Sequence, residues 1–393
     1  MRAISVEERR ARLVRRHRLA TTKARTIEDA VSAVVGLHSS DPVTVVLSAR
    51  ARTARFGAER LEDALYERRS LVRILGMRRT LFVVTREMAA VIDAACTKAL
   101  AAAQRRRLVG MLEEQGVVAA GRGSRWLRGV MDETLAALEA RGTATARELT
   151  RDVPALATKL TFGEGTRWSA QVGVSTRVLF LLATEARIVR ARPLGSWVSG
   201  QYRWAPLEAW LGEPLAELDR GEACRRLIGA YVEAFGPVTM TDIRWWTGWT
   251  AALARATLDT LDLAEVALDG GTGYVLRDDL PRVSAPRASV AFLPGLDPTV
   301  MGWKERAWYL GSHGPRLFDR SGNAGPTIWA AGRVVGGWAQ THGGEIEIEL
   351  LAPVDRSTRS AIETERERLR SWLGDVRVTP RFRSPLEREL AAR

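Results

Sequence analysis

The chain has 393 residues, 46% hydrophobic and 27% charged, which excludes collagen-like and wholly disordered classes and provides for about two to three domains. Lysine and arginine (59) outnumber the acids (46), a net charge of +13 that makes a polyanion such as nucleic acid the first partner to consider; only four of the 59 are lysines, so an arginine-codon bias would give the same figure. Cys96 and Cys224 have no ligand spacing, and neither a secretory apolar segment nor a run of about 18 apolar residues occurs, so disulfide, zinc and membrane classes are excluded and the chain reads as cytoplasmic.

Apolar residues at helical spacing predict helices over 5–18 and 26–36, the second capped by Thr26. His38-Ser39-Ser40-Asp41-Pro42 follows, with Asp41 as N-cap and Pro42 in the first helical position, which places the polar residues in a helix-to-helix turn. Helices to about Arg55 and over 58–68 precede 71–84, two predicted strands around Gly76 whose tip region holds Arg73, Arg78 and Arg79. Helical segments run from Glu87 to Gln115, and 116–123 is a linker.

Two blocks then repeat one order, three helices and a two-stranded wing. The first has helices at 126–140, from Thr145 and at 169–184, with strands near 188–192 and 199–204. The second has helices at 222–235, 241–246 and 251–261, with strands closed by the turn Asp269-Gly-Gly. A last block, 289–393, mixes three strands with a helix over 357–373, a small sheet or barrel completed by the 71–84 hairpin. The expected divisions are an N-terminal helical unit 1–118, winged helices 119–215 and 216–283, and a β-rich block 284–393.

Gly36-Leu-His-Ser-Ser-Asp-Pro42, Met77-Arg-Arg-Thr-Leu81, the two winged blocks, Phe292-Leu-Pro-Gly-Leu-Asp-Pro298 and Gly332-Arg-Val-Val-Gly-Gly-Trp338 together resemble the bacterial AlkZ-like DNA glycosylases of the winged-helix HTH_42 superfamily. The resemblance runs along nearly the whole chain. It implies an α+β, mostly helical fold with tandem winged helix-turn-helix modules around a small β-barrel. It also implies a monofunctional DNA glycosylase that releases purines alkylated at N7, including bulky genotoxin adducts, in base excision repair or self-resistance. The partner implied is double-stranded DNA carrying alkylated purines, bound by a monomer. The family's Gln-aliphatic-Gln or Gln-aliphatic-Asp signature falls on His38, Ser39 and Ser40, so this chain departs from it at all three positions.

An N7-alkylguanine leaves already cationic and needs no general acid, only a placed water and a stabilised sugar cation. A neutral His38 imidazole suits the water, Ser40 could hold it, and Asp41 could orient His38 or face the sugar cation. A capping turn with one satisfied histidine explains the same residues without chemistry. Arg73, Arg78 and Arg79 are candidates for phosphates or the minor groove. Nine basic residues between Arg2 and Arg25, Arg15 and Arg16 among them, face only Glu7 and Glu8 and predict one broad basic face for DNA. Two of the tryptophans Trp245, Trp246 and Trp249 read as core rather than base-stacking, and His313 and His342 have no assigned role. No GxGxxG, Walker A or HExxH occurs, so no cofactor and no metal are expected. The competing functions are a winged-helix transcriptional regulator and a resistance protein that binds the adduct without cleaving.

Overall fold

The Ser5 hydroxyl accepts from the Glu8 amide at 3.3 Å and starts the helix Val6–Arg16. The computed structural model describes residues 1–163, 169–284 and 289–393. Thr26 caps a second helix as expected, but that helix ends at Ser32: Val35 has φ +64°, and the chain leaves Gly36 as a strand, Leu37–His38. The polar tetrad therefore starts on a sheet edge rather than wholly in a helix-to-helix turn. Leu37–His38 pairs antiparallel with Leu81–Thr85, which pairs with Leu71–Leu75. The helix Pro42–Arg52 follows, with Asp41 accepting from the Val43 amide at 3.1 Å.

Helices Lys98–Glu114, Gly123–Arg141 and Val174–Thr184 enclose their own apolar cluster, with Leu112, Leu127, Leu138 and Val178 fully buried. Where the sequence predicted the start of a helix at 169, the chain forms the strand Ala170–Gly173, paired with Lys159–Phe162; the helix begins only after Gly173. Ile188–Pro193 and Tyr202–Pro206 pair as expected. Helices Arg220–Phe235, Met240–Thr247 and Ala251–Leu258 lead to the antiparallel pair Leu263–Leu268 and Gly271–Leu276. A third strand was not foreseen: Arg2–Ala3 lies parallel to Leu263–Leu268, tying the N-terminal residues to this unit.

The C-terminal strands Val290–Leu293, Thr327–Ala330, Arg333–Gln340 and Ile346–Leu350 form one antiparallel meander. Two glycines of the 332–338 motif have steric reasons. A Cβ on Gly332 (φ +76°) would stand 2.6 Å from the Arg10 carbonyl oxygen, and one on Gly336 would stand 2.2 Å from that of Glu349. The expected barrel is not formed among the described residues, and the 71–84 hairpin takes Leu37–His38 as its third strand, not a C-terminal one. The reason lies in the apolar cover. Val43 and Leu47 on one helix, and Ile362, Leu369 and Leu373 on the helix Arg356–Leu373, pack on Phe292, Ile328, Val335 and Trp338, so helices rather than strands close the sheet. The fold is mixed α+β, with about half of the residues in helices.

Candidate active site

Registry divides the candidate residues between two faces of the three-stranded sheet. His38 pairs with Phe82 and Phe82 with Ile74; Leu37 pairs with Val83 and Val83 with Arg73. Paired residues share a face and successive residues alternate, so His38 and Arg73 point to opposite sides. Leu37 and Ser39 are buried, whereas His38 and Ser40 are half-buried.

The His38 ring meets Phe82 edge-on at 5.7 Å, and no described residue hydrogen-bonds its Nδ1. Burial, and then the nearby Arg78 guanidinium, push the imidazole down to about 4, against the pull of the Asp297 carboxylate. The ring is neutral at pH 7, and its Nδ1 is buried without a hydrogen-bond partner among the described residues.

Asp41 does not orient His38. One of its oxygens accepts from the Val43 amide (3.1 Å) and the other from the Arg381 amide (2.9 Å), which ties the turn to the C-terminal segment. Burial pushes its carboxyl up, against those two amides. The carboxylate whose charge reaches His38, at a distance and without a hydrogen bond, is Asp297, a residue the sequence did not single out. Like Asp41 it caps a helix that starts with proline, accepting from the Thr299 amide at 2.9 Å. It is fully buried and bidentate with Arg52 (2.6 and 2.8 Å), and accepts from Ser48 Oγ at 2.6 Å. Burial pushes its carboxyl up, but Arg52 and Ser48 outweigh this and hold it below the usual carboxylate range. Thr44, Ser48 and Arg52 form one ridge of the helix Pro42–Arg52, the spacing that gives them away, and Thr44 Oγ1 donates to the Gly295 carbonyl at 2.7 Å. Thr299 accepts from Arg52 (2.6 Å) and donates to His17 Nδ1 (2.9 Å), while His17 Nε2 donates to the Ala234 carbonyl (3.1 Å). The helix that follows His38 is thus locked to the 295–299 loop.

The arginines separate. Arg78 and Arg79 are exposed at the hairpin tip, both in the left-handed region (φ +55° and +61°), a strained geometry for non-glycine residues. Arg78 lies 4.1 Å over the Trp245 ring, while Trp246 stacks on Tyr231 at 4.3 Å in the core. Arg73 is not at the tip: it is buried in mid-strand, its Nε donating to Ser39 Oγ at 3.3 Å. Arg15 is exposed, but Arg16 donates to the Gly236 carbonyl and pairs with Asp279. Arg2 and Arg12 pair with Glu8, and Arg9 lies over Trp308. Most of the expected basic face therefore fastens the first helix to the 220–310 region, because its guanidiniums find carbonyls and carboxylates there.

Ser40, Arg73 and Arg79 line one cavity of about 470 Å³, with walls from Leu81, Phe180 and Trp204; His38 does not line it. Among the described residues no cluster of His, Cys, Asp and Glu is placed to hold a metal ion, and no helix is long and apolar enough to cross a membrane.

A sequence profile described as DNA glycosylase AlkZ-like matches residues 31–372. Among solved structures, the Streptomyces sahachiroi DNA glycosylase AlkZ superposes with a TM-score of 0.73 at 19% identity, over 96% of this chain and 98% of that one. No curated protein sequence matches.

Proposed function

The chain belongs to the AlkZ-like DNA glycosylase family and is a DNA glycosylase; from that premise we propose that it hydrolyses the N-glycosidic bond of N7-alkylated guanine in duplex DNA, with His38 placing the water. The observation that carries this is a neutral imidazole whose Nδ1 has no hydrogen-bond partner among the described residues, on a strand followed by Asp41, which accepts from the Val43 and Arg381 amides. In the reaction the N9–C1′ bond breaks with its electron pair passing to the cationic purine, which leaves neutral. Water bonds to C1′, and its proton passes to the imidazole and then to solvent. An imidazole held near 4 is a weak base, yet the oxygen it serves becomes strongly acidic once bonded to C1′, so transfer late in the step is downhill.

Ser40 offers a hydroxyl to that water beside the imidazole, and Asp41 shapes the turn. We assign the blocks 119–215 and 216–283 to winged helices lying along the duplex, with Arg78, Arg79 and Arg15 on phosphates or in the minor groove. The cavity beside Ser40, about 470 Å³, supports extending the reading to bulky genotoxin adducts, and with them to a role in self-resistance. The test is single-turnover incubation with duplexes bearing small and bulky N7-alkylguanines, abasic sites being revealed by mild alkali. Base release by the wild-type chain that is lost in His38→Ala supports the assignment; equal release by both removes His38 from the mechanism.

A further inference from the structure

The cavity beside Ser40 is lined by cations that form no ion pair with a carboxylate among the described residues. Arg73 is only 8% exposed, it lies over the rings of Tyr66 and Tyr202 at 5.4 and 4.9 Å, and its Nη1 has no hydrogen-bond partner among the described residues. Arg190, half-buried, lies over Tyr202 and Trp204 at 5.3 and 5.5 Å, and the charges pressing on it include Arg73 and Arg381. The Arg381 guanidinium donates to the Ser40 carbonyl at 3.4 Å, and its charge bears on the Asp41 carboxylate without an ion-pair contact. None of these three arginines forms an ion pair with a described carboxylate. The contrast is with the buried Arg12 and Arg52, each of which has one at 2.7 and 2.6 Å. Tyr66 and Tyr202 support the Arg73 charge against its burial, but the Nη1 donor stays idle, and a desolvated idle donor is costly unless something else supplies the acceptor. The facing walls, Leu75, Leu81, Phe180, Trp204 and Phe382, are apolar or aromatic.

We propose that this cavity is a subsite for a flat apolar body bearing an anionic oxygen, such as an aromatic carboxylate, with the oxygen on Arg73 and Arg190 and the body against Trp204 and Phe180. A phosphodiester offers the charge but brings hydrophilic sugars to apolar walls, so it fits less well. The inference rests on the glycosylase reading in one respect: there the ligand is the substituent of the adducted guanine, entering past Ser40. Ser40 follows His38 by two positions, at most about 7 Å along the chain, so a substituent on a base held at His38 can reach the cavity mouth.

The test is calorimetric binding of biphenyl-4-carboxylate to the full chain, with biphenyl-4-methanol and inorganic phosphate for comparison. The acid is expected to bind at least roughly tenfold more tightly than the alcohol, the effect of charge-assisted hydrogen bonds to guanidinium. Arg73→Met and Arg190→Gln should each remove that preference. Since Arg73→Met alters a buried position, the half-buried Arg190→Gln decides the matter if the first variant fails to fold. Equal binding of acid and alcohol, or a preference that survives in Arg190→Gln, overturns the subsite. Displacement of the acid by an equal concentration of inorganic phosphate also overturns it, and assigns the arginines to a DNA phosphate. Failure of the glycosylase reading is a separate result: no base release from any N7-alkylguanine, with the acid preference intact.

Discussion

His38 and Arg73 project from opposite faces of one three-stranded sheet, His38 in register with Phe82 and Ile74, Arg73 with Val83 and Leu37. The sheet separates an imidazole that must stay neutral from a buried guanidinium, leaving Arg78 as the cation that bears on it. Ser39, between the two polar residues of the turn, faces Arg73 and donates no group to the His38 side.

The first prediction concerns pH. With the imidazole held near 4, the rate constant for base release stays flat through neutral pH and declines around pH 4 as the ring takes up a proton, after correction for uncatalysed depurination. His38→Ala lowers release about 10²-fold, while His38→Gln, whose amide oxygen can also hold water, retains part of it and loses the acid limb. A midpoint near 6.5 in the wild-type profile would contradict the buried, cation-flanked ring.

The second concerns acid stability. Burial first, then Arg52, push the His17 imidazole down to about 3, below its ordinary 6.5. The unfolded chain takes up a proton below pH 6.5 that the folded chain refuses until about 3, so stability falls as pH drops through that window. The loss is about 1.4 kcal/mol per pH unit for this one group. Urea titrations between neutral and mildly acidic pH should show a smaller slope for His17→Gln, which offers a donor and an acceptor but does not titrate.

The third concerns the buried ion pair. Asp297→Asn leaves the Arg52 guanidinium uncompensated at 0% exposure and should cost about 3–5 kcal/mol in urea unfolding. The double variant Asp297→Leu with Arg52→Met should lose less than the sum of the single losses, since no charge is then stranded. Additive losses would mean that the two groups are not coupled.

The fourth concerns the hairpin tip. Arg79 has φ +61°, so Arg79→Gly relieves left-handed strain and should raise stability by about 0.5 kcal/mol. The same change removes a cation offered to DNA, and the slope of log affinity against log salt should fall by about 1. A salt slope equal to that of the wild type would place this guanidinium off the duplex.

Local chemistry in the sequence determined much of this protein. Thr26 and Asp41 cap helices where their side chains predicted, and a helix starts after Thr145 as expected, because a cap needs only residues two or three positions apart. Both the 71–84 hairpin and the Asp269-Gly270 turn were legible for the same reason. The turn of His38 and Ser40 was found, and with it the family, because the order of several segments survives where individual residues do not.

Tertiary structure alone decided which charges remain available. Arg16, Arg9 and Arg12 look on a helical wheel like Arg15, yet Gly236, Trp308, Asp279 and Glu8 claim them across as many as 299 positions of chain. Asp297, 259 positions after His38, is the carboxylate whose charge reaches the ring, without a hydrogen bond to it, whereas Asp41 spends both oxygens on backbone amides. Whether the strands closed into a barrel was likewise set at long range, by two apolar helix faces that cover the C-terminal sheet before another strand can. A guanidinium or a sheet edge carries no local mark of its partner, because ion pairs and apolar cover are chosen by what the rest of the fold brings within reach.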